Sequence, residues 1–276
     1  MKLKKIKKYK YSVVMGRFSE KIGDKYQQFP IDNWQNEILV AKKYNFDGLE
    51  WIISDYSNPI FNKIYLEDIC KRITKNKLII NSIYLDLIMH DPLHKISLKN
   101  FEWIIKKIID VQKKIRINRI TLPVEEDARF YFYKDKKIVV NRLQYVIKKL
   151  GKKSKISIET DISPGNLINF LNIRKLSKLG LLLDLGNIRA NGYNIEDYIN
   201  NFSNKIFAVH IKYRDKNFGK SKIIPQKFKE LSILKRHLSK IKFLNDLTFQ
   251  TYRSSMNFKT DMESSIKNFN EIFYKK

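Results

Sequence analysis

A chain of 276 residues, 43% hydrophobic and 13% aromatic, carries enough apolar surface for a real core, which excludes a disordered tail or linker. Its single cysteine, Cys70, excludes a disulfide framework and a cysteine-built zinc site, and reads as a small half-buried residue on an amphipathic helix. The net charge of +27 would suit a polyanionic partner, but the lysines are scattered over nearly every helix and terminus, so a dedicated nucleic-acid surface is not expected.

The opening MKLKKIKKYKYSVVM is basic, but its apolar run stops at Gly16-Arg17, too short for a signal-peptide core. No uncharged apolar run approaches the roughly 18 residues of a membrane helix. A soluble, cytoplasmic protein with no membrane partner is expected.

Short β-branched runs then alternate with helical patterns, the signature of βαβ units and a parallel sheet. YSVVMG (11–16) is the first predicted strand, followed by a helix from about Asn33 to Tyr44. FDGLEWI (46–52) leads to a helix around Ile60–Thr74, and KLIINSIYLD (77–86) to the helix LKNFEWIIKKIIDVQKK. NRITLPV (118–124) precedes a helix near Val139–Leu150. KISIET (155–160) precedes a helix opened by Ser163-Pro164, an N-cap residue with proline at the first helical position. LGLLLDL (179–185) pairs with a helix near Ile195–Phe202, and KIFAVHIK (205–212) with a basic loop and a helix near Pro225–Ser239. KFLNDLTFQ (242–250) is the eighth strand, and a helix over about Asp261–Tyr274 closes the chain. Eight strand–helix pairs are the count of a closed (β/α)8 barrel. No Gly-x-Gly-x-x-Gly or phosphate-loop signature follows the early strands, as a nucleotide-binding open sheet would have. No linker divides the chain, so residues 1–276 read as one TIM-barrel domain.

Barrel chemistry sits at the C-terminal ends of the strands. There the second half carries Glu159, Asp184, His210 and Gln250, separated by 25, 26 and 40 residues, or about one βα unit each. Two carboxylates, an imidazole and an amide suit one divalent ion such as Mn, Mg, Co or Zn, with positions left for substrate oxygens. The same spacing also fits polar strand ends that share no ligand.

Several blocks carry a family resemblance. GRFSEKIGDKYQQFP and NWQNEILVAKKYNFDGLEW resemble the opening of bacterial sugar phosphate isomerase/epimerases, relatives of L-ribulose-5-phosphate 3-epimerase and hexulose-6-phosphate isomerase. IETDISP, DLGNIRANGY, VHIKYRD and FQTYR are similar, in order, to that family's later strand ends, and Asp86 and LPVEED to its third and fourth. The resemblance runs from about residue 12 to residue 253. It implies a xylose-isomerase-like TIM barrel with one divalent metal held by Glu159, Asp184, His210 and Gln250. It also implies proton transfer beside a carbonyl through an enediolate, on a small sugar, phosphorylated or not.

The family has a second glutamate where Gln250 stands, and an amide cannot act as a base near neutral pH. That leaves Glu159 as the base of a one-base isomerisation, or a step in which water, Glu125 or Glu126 serves as second acid. Tyr213 replaces a usual acidic residue, and KNFGKSKIIP lacks the family's glycine-rich substrate loop.

Arg17, Lys212, Arg214 and Arg253 lie beside predicted strand ends, where cations hold a phosphate or simply face solvent. Glu50, after an apolar strand, is expected to bind substrate or brace the mouth, and Asp86 to bind substrate. His90 and His94 read as loop histidines on the rim, because Pro92 between them disfavours a shared helix. His237 reads as a surface helix residue. Trp34, Trp51 and Trp103 read as packing residues, with Trp51 a candidate for the pocket wall. Two rival readings stay open: an endonuclease-IV-like barrel that processes or binds nucleic acid, and a barrel that has lost catalysis and acts as a binding subunit. A homo-oligomer is an open expectation.

Overall fold

In the computed structural model, which describes residues 2–21, 23, 27–254 and 256–274, eight parallel strands close into a barrel. The barrel strands are β1 (Lys10–Val14), β2 (Gly48–Ile52), β3 (Ile79–Tyr84), β4 (Arg119–Pro123), β5 (Lys155–Glu159), β6 (Leu179–Asp184) and β7 (Ile206–Ile211). A two-stranded antiparallel hairpin of β8 (Tyr213–Arg214) and β9 (Ser221–Lys222) follows, and β10 (Asp246–Phe249) closes the ring between β7 and β1.

Seven longer helices connect the strands, α1 (Trp34–Lys43), α2 (Lys63–Lys75), α4 (Leu98–Lys114), α5 (Tyr133–Leu150), α6 (Pro164–Leu171), α8 (Ile195–Phe202) and α9 (Lys229–His237), and an eighth, α10 (Phe258–Tyr274), follows the last strand. Two short ones, α3 (Leu87–His90) and α7 (Leu185–Ala190), sit directly at strand ends. Among the described residues no helix is long and apolar enough to cross a membrane.

Helix α4 shows how the sequence makes these layers. Ser97 caps it by accepting the Asn100 N–H at 3.1 Å. Its buried Phe101, Ile104, Ile105, Ile108 and Val111 recur at helical spacing, so one stripe faces the barrel. Each such side chain contributes about 1.5–3 kcal/mol by leaving water.

The strands divide their residues by parity. Val13, Leu49, Ile83, Ile120, Ile158, Leu183, Val209 and Leu247 belong to the apolar core between sheet and helices. Many of the alternate positions are polar. Register sets Ser12 beside Thr248, Glu50 beside Ser82, Ser82 beside Arg119, Thr121 beside Ser157, and Thr248 beside His210. These side chains fill the lumen. Arg119 on β4 donates from Nη2 to Glu50 Oε2 on β2 and to Asp246 Oδ2 on β10, both at 2.9 Å. Neither strand neighbours β4 in the ring, so the guanidinium spans the interior. Its Nη1 donates to Thr121 Oγ1, which pairs with Ser157 Oγ at 2.9 Å. A barrel lumen is more usually filled by branched apolar residues; here hydrogen bonds replace much of that packing. Gly180 makes room within it: a Cβ there would lie 2.1 Å from the Phe207 ring.

Element boundaries depart from the sequence reading in a few places. The fourth long helix starts at Tyr133 rather than near Val139, the basic loop after β7 folds into the β8–β9 hairpin, and the eighth strand starts only at Asp246. Ser163 precedes α6 as expected, but its side chain makes no capping hydrogen bond. His237 is partly buried rather than on the surface, its Nδ1 3.0 Å from the Ile233 carbonyl.

Candidate metal centre

Three of the four strand-end residues meet. Glu159 closes β5, Asp184 closes β6 and His210 lies near the end of β7, and one ligand atom from each lies within 4.8 Å of the others. His210 Nδ1 is 3.5 Å from Glu159 Oε1 and 3.7 Å from Asp184 Oδ2. Among the described residues this is the one such group of three or more histidine, cysteine or acidic side chains.

Each is oriented by a neighbour. Asp184 is also the N-cap of α7: its Oδ1 accepts the Asn187 N–H at 2.7 Å, which leaves Oδ2 for the cluster. The α7 backbone approaches closely at Gly186, where a Cβ would lie 2.8 Å from Lys212 Cγ and 3.1 Å from Asp184 Oδ1. His210 Nε2 lies 2.7 Å from Glu50 Oε1, and Glu50 Oε2 accepts from Ser82 Oγ at 2.7 Å as well as from Arg119. Burial raises the Glu50 carboxyl, but His210 and Arg119 outweigh burial and hold it at about 2. An ionised carboxylate only accepts, so Nε2 carries the hydrogen and Nδ1 is the ring atom presented to Glu159 and Asp184.

Gln250 follows β10, and its backbone N–H donates to the Ile211 carbonyl at 3.3 Å. Thr248 pairs with His210, so Gln250, two residues on, projects to the same lumen side one layer higher. Its Nε2 donates to Gln27 Oε1 at 2.6 Å.

The donor set fits a divalent ion. Glu159 Oε2, Asp184 Oδ2, His210 Nδ1 and Gln250 Oε1 are all buried without a hydrogen-bond partner. An unsatisfied buried acceptor costs about 1–3 kcal/mol. The first three converge closely enough for one cation to satisfy them, and Gln250 follows the next strand in the ring. Without an ion, burial lowers the His210 imidazole, but Glu50 and Glu159 outweigh it and hold the ring well above its ordinary range, so a cation bound at Nδ1 would displace a proton there. Burial likewise raises Asp184, yet Lys212 and His210 pull it below the usual carboxylate range, whereas burial dominates at Glu159 and raises it.

Above the cluster opens a cavity of about 1120 Å³. Asp86, Lys212 and Arg214 line it, together with Gln250. Lys212 Nζ is 3.5 Å from Asp184 Oδ2, and Arg214 Nη1 donates to Asn187 Oδ1 at 2.8 Å. Burial holds Asp86 up at about 6. Glu125 is buried at the wall, accepts from Asn187 Nδ2 at 2.7 Å, and is raised well above the usual range by burial and the nearby Glu159 charge. Glu126 stands beside it in the left-handed region, φ 47°, its N–H held by Asp161 Oδ2 at 3.0 Å. His90, at the end of α3, lines the rim, and the β8–β9 hairpin contributes Lys222.

Three expected substrate residues lie elsewhere. Glu50 is not on the cavity wall: it is in mid-strand with 0% exposure and supports His210 from below. Arg253 turns away and donates through Nη1 to the carbonyls of Gly16, Ser19 and Glu20, tying down the loop after β1. Arg17 is 2% exposed and donates from Nη2 to Gln27 Oε1 at 3.0 Å. Trp51 is likewise off the wall, packed against Phe29 and Trp34 with its Nε1 on Asn58. The sequence reading missed Gln27, Tyr84 and Asn187. Asn187 had a local signal, lying three residues after Asp184 at the bonded position of an N-cap; the other two had none.

No protein-family model and no curated protein matches the sequence. Solved structures do. The IOLI protein determined with a bound zinc atom superposes with a TM-score of 0.73 at 15% identity, over 96% of this chain and 98% of that one. D-psicose 3-epimerase from Clostridium cellulolyticum, solved with D-tagatose, gives 0.69 at 11% over 95% and 96%. A xylose isomerase-like TIM barrel protein from Mycobacterium smegmatis, in complex with magnesium, gives 0.66 at 13% over 96% and 98%. The fold is that of a xylose-isomerase-like barrel. In this xylose-isomerase-like barrel the buried cluster lies, as TIM-barrel chemistry requires, at the C-terminal ends of the strands.

Proposed function

We propose that this xylose-isomerase-like barrel is a metal-dependent isomerase or epimerase of a small sugar or sugar phosphate, moving a proton at a carbon next to a carbonyl. The observation that carries the reading is the set of four strand-end side chains, each with one buried atom that has no hydrogen-bond partner, at a cavity of about 1120 Å³. That volume is a little above the roughly 300–1,000 Å³ usual for ligand sites and leaves room for a small polar ligand. Similarity to a zinc-bound barrel, a magnesium-bound barrel and a sugar 3-epimerase supports it.

Glu159, Asp184, His210 and Gln250 would hold the ion. When bound, a divalent ion supplies Lewis acidity toward substrate oxygens. The proton chemistry belongs to the chain. Glu159 is raised by burial, which brings a carboxylate closer to the range where it both takes and returns a proton. Gln250 cannot exchange protons, so transfer on its side of the substrate is closed. Glu125, whose carboxyl is raised well above the usual range by burial and by the Glu159 charge, is the second acid in this reading. Lys212 lines the cavity beside Asp184 and offers a cationic donor to an oxygen that gains charge. The Tyr84 phenol is raised well above its ordinary value by burial and the surrounding carboxylates, so it stays a donor.

A screen of sugars and sugar phosphates for solvent deuterium uptake tests the reading. Exchange into a carbon-bound position is expected with Mn²⁺ or Zn²⁺ present and is expected to vanish in Glu159→Gln with the fold intact. Equal exchange in that variant would remove Glu159 from the base role.

A further inference from the structure

The amide of Gln250 has two ends, and only its oxygen can bind a metal. Which end faces the cluster is decided outside the four ligands. Arg17 Nη2 donates to Gln27 Oε1 at 3.0 Å, and a guanidinium has no acceptor to offer. On its other side, Gln27 Nε2 donates to Asp86 Oδ1 at 3.4 Å. A donor-only group on one side and a carboxylate on the other fix the Gln27 amide in one orientation. Its oxygen, so placed, also receives Gln250 Nε2 at 2.6 Å. Gln250 Oε1 is then left buried and without a hydrogen-bond partner.

We infer that Arg17 and Gln27 form a positioning relay that turns the carbonyl end of Gln250 toward the metal site and makes it a neutral ligand. This rests on the metal reading above and extends it to two residues outside the ligand set. The relay also explains why glutamine, not glutamate, suits this barrel. A carboxylate at position 250 would face the Gln27 oxygen, and Gln27 cannot rotate without turning its NH₂ group onto the Arg17 guanidinium. The loop between β1 and α1, which carries Gln27, and the end of β10 are therefore matched to each other.

Calorimetric titration of the full chain with Mn²⁺ and with Zn²⁺ tests this without any substrate. Gln27→Leu removes the acceptor and is expected to weaken binding by about 10-fold or more, the usual scale for support of a metal ligand. Gln27→Glu made together with Asp86→Asn, so that the new carboxylate meets an amide rather than Asp86, keeps an acceptor for both Arg17 and Gln250 and is expected to stay within about threefold of Asp86→Asn alone. The sign should reverse in the glutamate background: Gln250→Glu with Gln27→Leu binds tighter than Gln250→Glu alone, because the opposing oxygen is gone. A merely structural role for Gln27 would weaken binding in both backgrounds. That result, or wild-type affinity in Gln27→Leu, overturns the relay while leaving the metal site standing. Absence of binding by the wild-type chain overturns both.

Discussion

Glu50 on β2 and His210 on β7 come from strands that do not touch in the barrel, yet Glu50 Oε1 lies 2.7 Å from His210 Nε2 across the lumen. This pairing fixes the tautomer of the one nitrogen-bearing member of the cluster. Glu50→Gln preserves shape and removes the charge. Its metal affinity is expected to fall by about 10- to 100-fold, as for other supports of a ligating histidine. Titration with Zn²⁺ checks this, and an unchanged affinity would show that Glu50 does not prepare His210.

Arg119 pairs with both Glu50 and Asp246 in a lumen where each is almost wholly buried. Replacing it with methionine leaves two carboxylates without their cation. Removal of one partner of a buried pair costs about 3–5 kcal/mol. Urea denaturation of Arg119→Met is expected to show a loss of that size, and a loss below about 1 kcal/mol would mean that lumen hydrogen bonds alone suffice.

Asp86 makes stability depend on pH in a defined direction. Burial, partly offset by Ser54 and Arg17, holds its carboxyl up at about 6 in the folded chain. The group's contribution is therefore complete below its unfolded pKa of about 4 and is lost as pH rises through about 6. Asp86→Asn stays neutral throughout. In chelator-treated protein the variant is expected to gain roughly 2–3 kcal/mol on wild type between about pH 4 and pH 7. Denaturation curves at the two pH values check it, and a constant difference would contradict it.

Gly180 is irreplaceable on steric grounds. The Cβ of an alanine would sit 2.1 Å from the Phe207 ring, which must then leave its place in the barrel. Gly180→Ala is expected to cost about 1–3 kcal/mol, the scale of an overpacked core, measured by the shift in thermal unfolding. Gly180→Ala combined with Phe207→Leu is expected to recover part of it.

Much of the fold was legible because strand–helix alternation is a local property. Eight short, mostly apolar runs separated by amphipathic stretches specify the barrel, and their last polar residues point to Glu159, Asp184 and His210. What was not legible depends on which face of a strand turns inward. The runs YSVV, NSIY, RITLP and KISIE look apolar overall, whereas the register sends Ser12, Ser82, Thr121 and Ser157 into the lumen. Glu50 was assigned to the mouth because it follows an apolar run. It stands two residues before the end of β2, just past an irregularity in the register, and so lies below the ligands. Arg253 was placed at the mouth by proximity to a strand end, but carbonyls of the loop after β1 capture it. Gln27 belongs to an irregular loop with no periodicity, and only the folded chain brings it within reach of Gln250.

The most direct test of the metal centre is elemental analysis of the purified chain after dialysis, side by side with His210→Ala. About one Mn, Mg, Co or Zn ion per wild-type chain, and close to none in a folded His210→Ala, is the expected result. A wild-type chain without a stoichiometric divalent ion even after loading with Mn²⁺ or Zn²⁺, or a variant that holds as much as wild type, would contradict it.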